Sequence, residues 1–250
     1  MPSPLKIILL TLLIFASISQ AGELTLTTKQ GFELKADFYQ PKQSTNRAVL
    51  LLHQCNADRT MYYGIAHELT LRGLHALSLD FRWFGESVKG AVDIKELAKL
   101  PPEERKNPWP MITEHWQNDV KLAYDFLRNT VGKRGSISVM GASCGGGQIE
   151  KLAHLNPIEA IGFFSSAVVQ DDKESRAGYK AELAKIPTLF IAAEQDATFA
   201  GTQRAFALNE NIHSQLISYK GDLHGETLLD QDKHLIKTIA NWFDEKTKSE

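Results

Sequence analysis

The 250-residue chain carries only two cysteines, Cys55 and Cys144, no surplus of basic residues and no long run of charge of one sign. Twenty-eight Lys and Arg stand against 30 Asp and Glu, a formal net charge of −2. That balance offers nothing to grip a nucleic-acid backbone or an anionic membrane surface. Internal repeats are absent too. The longest apolar run, residues 7–18, falls short of the about 20 residues that a membrane span takes. With Lys6 before it and the small residues of Ser19-Gln20-Ala21 after it, this run reads as the core of a signal peptide, residues 1–21. An uncleaved anchor is the alternative. No cysteine follows the run, which argues against lipoprotein processing. The mature chain is expected to start near Gly22, to carry a formal charge of −3 once Lys6 is lost, and to be periplasmic or secreted without stable membrane insertion.

What the chain does have is 43% hydrophobic residues, enough for one sizeable core over residues 22–250. Residues 24–28 and 32–39 alternate apolar and polar around Lys29-Gln30-Gly31, the pattern of a β-hairpin. Short continuous apolar runs come next at 48–52, 74–79, 136–140, 160–164 and 188–192, with a further strand at 215–219. Helical spacing lies between them at 60–72, 114–128, 147–154 and 203–209, and an amphipathic helix closes the chain at 228–243. Strands alternating with helices predict an α/β fold: a mainly parallel twisted sheet of about eight strands, helices on both faces, and an antiparallel hairpin at the N-terminus. Residues 88–113, with Pro101-Pro102 and Pro108-Trp109-Pro110, read as a small insertion, a cap or an inert surface excursion.

The strand at 136–140 runs directly into Gly141-Ala142-Ser143-Cys144-Gly145, and helical spacing comes after it. G-x-S-x-G between strand and helix is the pattern of a strained turn that exposes a nucleophilic serine. Centred on Ser143, glycine falls at both flanking positions; centred on Cys144, Ala142 and Gly146 would take them, and that register stays open. A serine needs a base and the base an orienting acid, in the chain order Ser, Asp or Glu, His. Of the histidines beyond Ser143, His154 and His234 lie in helical segments and His213 precedes a strand. His224, in the loop after 215–219, is at the end of a strand where a base belongs. Asp196, after the strand at 188–192, is the acid expected. Asp171 and Asp172 are held in reserve; Glu194 is too close to its strand and Asp222 too close to His224.

These segments together resemble the α/β-hydrolase superfamily over nearly all of the mature chain. The likeness rests on 49–53 as the third strand leading to an oxyanion loop, on Asp80-Phe81-Arg82-Trp83-Phe84-Gly85-Glu86-Ser87 as a D-x-R-x-x-G-x-S segment, and on Ile186 to Asp196 and His224-Gly225 as the acid and base segments. Size and insertion are closer to dienelactone-hydrolase-like and small-esterase branches. The resemblance implies backbone oxyanion donors at Cys144 and Cys55, or at Gln54. Gln54 stands where the family often has glycine after histidine, and so reshapes this loop. It also implies that the two cysteines lie on either side of one oxyanion. A disulfide is then one reading and two buried free thiols the other, with the free thiols slightly favoured; two thiols and His53 are too few for a metal site. His53, Asp80 and Arg82 are expected to shape loops. Trp83, Trp109 and Trp116 either line a pocket or belong to the core.

The expected activity is a serine hydrolase cleaving small-molecule esters, lactones or thioesters through Ser143, His224 and Asp196, with no metal or organic cofactor. A non-catalytic ligand-binding protein on the same fold and an acyltransferase are the alternatives.

Overall fold

In the computed structural model, which describes residues 21–88, 99, 101 and 109–248, eight strands form one sheet in the order β1-β2-β4-β3-β5-β6-β7-β8. They are β1 (Ala21–Thr27), β2 (Glu33–Tyr39), β3 (Arg47–Leu52), β4 (His75–Leu79), β5 (Ser136–Ala142), β6 (Ile161–Phe164), β7 (Thr188–Ala193) and β8 (Gln215–Tyr219). β1 pairs with β2 and β2 with β4 antiparallel, and every other pairing is parallel. The fold is therefore the one the alternating pattern predicts. The expected signal peptide, apart from Ala21, and most of the insertion expected at 88–113 lie outside the described residues.

Burial explains the central strands. Val49 and Leu51 point to one face of the sheet, Leu50 and Leu52 to the other, and all four are fully buried. Each face carries its own core. One gathers Leu50, Leu52 and Val139 against Trp116, Val120 and Leu127 of α3 (Trp116–Val131). The other gathers Val49, Leu51 and Phe164 against Ile65 and Leu69 of α1 (Tyr63–Leu71) and Ile239 and Phe243 of α8 (Lys233–Thr247). α1 and α8 also meet directly, where Gly64 packs on Ile236 and Arg72 donates to Asn241 at 2.6 Å.

Several elements differ from expectation. The helix predicted at 60–72 opens with a 3₁₀ turn, Arg59–Tyr62, before α1. The closing helix is two helices, α7 (Glu226–Gln231) and α8, because Asp232 leaves helical geometry and caps α8 by accepting from the His234 N–H. α5 (Lys173–Glu182) has no counterpart among the predicted elements: it is a strongly polar helix that buries only Tyr179, and its start is fixed by Asp172 accepting from the Ser175 N–H at 2.8 Å. The remaining helices are α2 (Trp109–Thr113), α4 (Ile149–Leu155) and α6 (Phe199–Leu208). Among the described residues no helix is long and apolar enough to cross a membrane.

The strand order creates a crevice. From β3 the chain steps to β4 on one side, then returns to β5 on the other. The carboxyl ends of β3 and β5 thus diverge into loops at a switch point, where open parallel sheets leave room for a ligand.

Candidate active site

β5 ends at Ala142, and Ser143 comes next with φ +49°, a left-handed backbone that serine rarely adopts. Its two flanking glycines are required by space. A Cβ on Gly141 would run into the backbone of Gly145 and Gly146, and one on Gly145 into the carbonyls of Leu52 and His53. The turn is therefore pressed against itself and against the end of β3, and Ser143 is its pivot. Ser166 Oγ, just past β6, lies within 3.1–3.4 Å of the carbonyls of Gly141, Ser143 and Phe164 and holds the turn from below.

Cys144 and Cys55 form a disulfide, with their Cα atoms 5.8 Å apart. Both the slight preference for free thiols and the alternative Cys144-centred register are corrected by this bond: Cys144 has no thiol to offer. The reason is the close approach of Gly145 to the end of β3, which brings the next turn within disulfide reach. The Gln54 carbonyl accepts from the His53 Nδ1–H at 2.7 Å and from the Ala57 N–H at 3.1 Å. In a trans peptide the Cys55 N–H points the opposite way, and it has no hydrogen-bond partner among the described residues.

The other two expected residues meet. Asp196, beyond β7, lies with its Oδ2 2.8 Å from His224 Nδ1, in the loop beyond β8. The Asp196 side chain is 5% exposed and that of His224 35%. Thr198 supports the carboxylate twice, through its N–H at 3.1 Å and its hydroxyl at 3.0 Å. Thr227 and the His224 backbone exchange two hydrogen bonds, at 3.1 and 3.0 Å. With Nδ1–H donating to the carboxylate, Nε2 keeps its lone pair and has no partner among the described residues. The loop after His224 is pinned from two sides. Gly225 N–H donates to Ser165 Oγ at 2.9 Å, and Glu226 N–H to Gln54 Oε1 at 2.9 Å.

The rejected and reserve residues have other partners. Asp172 caps α5, Asp171 is exposed and paired with Arg176, which holds its carboxyl below the usual range, and His154 pairs with Glu182 at 3.0 Å. Glu194, Asp222, His213 and His234 are at least partly exposed and none of them reaches the imidazole of His224. Asp80 and Arg82 are structural, as expected: buried Asp80 accepts from the backbone N–H groups of Arg59 and Glu86 and from the Arg59 guanidinium, while Arg82 makes a two-pronged pair with Asp119 at 2.8 and 2.9 Å. Trp116 is core, stacked on Phe81, Trp83 packs edge-on against Phe32, and Trp109 is exposed.

Sequence reasoning misses Ser165, Ser166, Thr198 and the Gln54 side chain. Thr198 has a local signal, since Asp-x-Thr after a strand marks a turn. Ser165, left-handed at φ +45° and fully buried, is legible only once Gly225 lies beside it. A cleft of about 430 Å³ opens beside Ser143, bordered by Gly147, Glu150, Val168, Gln170 and Thr198. None of the three tryptophans borders it.

This sheet order, with a strained serine beyond β5 and an Asp–His pair beyond β7 and β8, can be set beside solved structures. The fold is that of the α/β-hydrolases. The chain is similar to an esterase of Pyrococcus furiosus with a TM-score of 0.68 and 15% identity, over 92% of each chain. It is similar to a dienelactone hydrolase of Anabaena variabilis with a TM-score of 0.64 and 18% identity, over 92% of this chain and all of that one. A thermostable carboxylesterase, EstE1, from a metagenomic library gives 0.63 and 13%, over 93% of this chain and 90% of its own. At such identities the likeness of the α/β-hydrolase fold is a likeness of architecture. No protein-family model and no curated protein matches the sequence.

Proposed function

We propose that the protein is a serine hydrolase that cleaves carboxylic esters of small molecules. The observation that carries this reading is the Asp196–His224 contact, which leaves Nε2 of a one-third-exposed imidazole with a lone pair, on the same edge of the sheet as a serine strained between two obligatory glycines. Ser143 Oγ attacks the ester carbonyl as His224 Nε2 takes its proton. The alkoxide formed on the carbonyl oxygen is met by the N–H groups of Cys144 and Cys55. Collapse expels the alcohol, which takes the proton from His224, and leaves an acyl-serine. Water, deprotonated by the same Nε2, attacks that acyl group and frees the acid and Ser143. Asp196 fixes the tautomer throughout and stabilises the imidazolium.

The cleft beside Ser143 is small and lined mostly by short side chains, which suits a compact acyl or alcohol group. The similar solved structures named as esterases and a dienelactone hydrolase favour ester over amide bonds. Export, inferred from residues 1–21, agrees with a disulfide at the site's centre.

Labelling with a fluorophosphonate and peptide mapping tests the reading. The adduct is expected on Ser143, together with turnover of p-nitrophenyl acetate that Ser143→Ala abolishes. A folded protein that neither labels nor turns over any small ester would overturn it.

A further inference from the structure

The Gln54 side chain belongs to a residue only 3% exposed, and the proposed chemistry leaves its amide unused. It lies between the two loops that the reaction has to hold in register. Its Oε1 accepts from the Glu226 N–H at 2.9 Å, and its Nε2 donates to Asn56 Oδ1 at 2.6 Å. The backbone fixes the orientation: the Glu226 N–H can only donate, so the carbonyl end of the amide must face it, and the NH₂ end then faces the Asn56 oxygen. Glu226 opens α7, whose first N–H groups have no partner inside the helix, and Gly225 before it supplies no side-chain cap. Gln54 therefore caps α7 from across the crevice. The approach is close enough to dictate the sequence on the far side. Gly225 has φ +55°, and a Cβ there would run into the Gln54 side-chain oxygen Oε1.

We propose that Gln54 is a positioning residue for His224, and that it couples the base loop to the oxyanion loop. The proposal rests on the Ser143–His224–Asp196 reading. One residue serves both loops: its backbone carbonyl, held by His53 and Ala57, turns the Cys55 N–H outward, and its side chain holds the turn that begins one residue after His224. Ser165 holds Gly225 from the opposite side, so the stretch after His224 is gripped between two acceptors. Without the Gln54 acceptor, the Glu226 N–H loses this bond, and the first turn of α7 frays next to the imidazole. The cleft beside Ser143 is bordered by α4 and the loops after β6 and β7, and Gln54 does not border it. The defect thus falls on turnover and not on substrate affinity.

The test compares Gln54→Met, of similar length but without an acceptor, with Gln54→Glu, which keeps one. For Q54M, kcat toward p-nitrophenyl acetate is expected to fall about 10- to 100-fold with KM within about threefold of the parent, and Ser143 labelling to slow in proportion. Q54E is expected to recover most of that loss. Q54M turning over within about threefold of the parent, or Q54E no better than Q54M, overturns the role. Should Q54M not fold, exposed Asn56 decides: N56A frees the amide to rotate and is expected to lower kcat several-fold at constant KM, while N56D keeps the acceptor and the rate, and an unchanged N56A overturns the role. A parent protein that fails to label at all removes the triad reading and this role with it. A parent that labels, with Q54M labelling as fast, removes this role alone.

Discussion

Two histidines leave the sheet at the ends of strands, His53 after β3 and His224 after β8, and they are built for opposite purposes. His53 is fully buried and both ring nitrogens are committed: Nδ1–H donates to the Gln54 carbonyl at 2.7 Å, and Nε2 accepts from the Phe81 N–H at 3.0 Å. Its aromatic neighbours, Phe81 and Phe84, close off water. His224 is one-third exposed, commits only Nδ1, and faces a carboxylate. A histidine that holds two backbone groups cannot take a proton without breaking one of those bonds. A histidine with one nitrogen anchored and the other uncommitted can take and return a proton with no loss of its anchor. The same side chain is structural or reactive according to how many of its nitrogens the fold has used.

The contrast is broken most directly by exchanging the two losses. His224→Ala is expected to lower kcat/KM by about 10⁴–10⁶-fold. It should cost no more than about 1–2 kcal/mol of stability, because the nearly buried Asp196 carboxylate loses one partner but keeps both bonds from Thr198. His53→Ala strands the Phe81 N–H and one bond of the Gln54 carbonyl, at a cost of about 2–4 kcal/mol, or roughly 4–16 °C in Tm for a chain of this size. Its activity should fall by no more than the about 10²–10³ that one oxyanion donor is worth. Ester turnover and a melting curve on both variants check this. An H53A protein less active than H224A would reverse the assignment.

The next effect concerns what His53 and the disulfide do together. His53 holds the Gln54–Cys55 peptide by its carbonyl, and the bond to Cys144 holds it by its side chain. The disulfide joins cysteines 89 residues apart, for which the loss of unfolded-state freedom is worth about 4.6 kcal/mol, or roughly 9–18 °C in Tm. Reduction, or the pair Cys55→Ser and Cys144→Ser, is expected to lower Tm by that amount. It should also lower kcat, because Cys55 is then placed only through the Gln54 carbonyl that His53 and Ala57 hold. Thiol titration of the unfolded, unreduced protein should find none, and a melting temperature indifferent to reductant would dismiss the bond's role in stability.

Legibility in the sequence tracks the range of the interactions. The sheet, its buried strands and the elbow at Ser143 can be read because each is a local pattern: a run of apolar residues, a period, two glycines at fixed spacing. Asp196 and His224 are legible through position at the ends of strands. What escapes is set by contacts distant along the chain. Gln54 is an ordinary glutamine until Glu226, 172 residues later, donates to it. Ser165 is one serine among several until Gly225 lies beside it, 60 residues on. α5 escapes for a different reason, since a strongly polar helix with one buried residue offers no apolar stripe to read. The split at Asp232 is hidden because apolar spacing continues across it while the backbone does not.

A third histidine marks the middle ground between the first two and gives the smallest effect. His75 opens β4, stacks on Phe38 with ring centroids 5.3 Å apart, and leaves Nδ1 buried without a side-chain hydrogen bond of good geometry. Burial holds its pKa below the usual value, only partly opposed by the Thr45 backbone. In the unfolded chain the imidazole titrates near about 6.5. Between that pH and the lower folded value, the unfolded chain binds more protons than the folded one, so protonation favours unfolding. The contribution of neutral His75 is therefore fully present above about pH 6.5 and is lost as the pH falls from there through the folded value. His75→Phe keeps the stacking and removes the titration. The difference in melting temperature between the parent and H75F, tracked from about pH 7.5 to about pH 5, should shift in favour of H75F as the pH drops, by a few degrees at most. Curves that stay parallel would mean that this ring, like His53, is held by the fold too firmly to respond, and that partial commitment of a histidine does not by itself make it sensitive to pH.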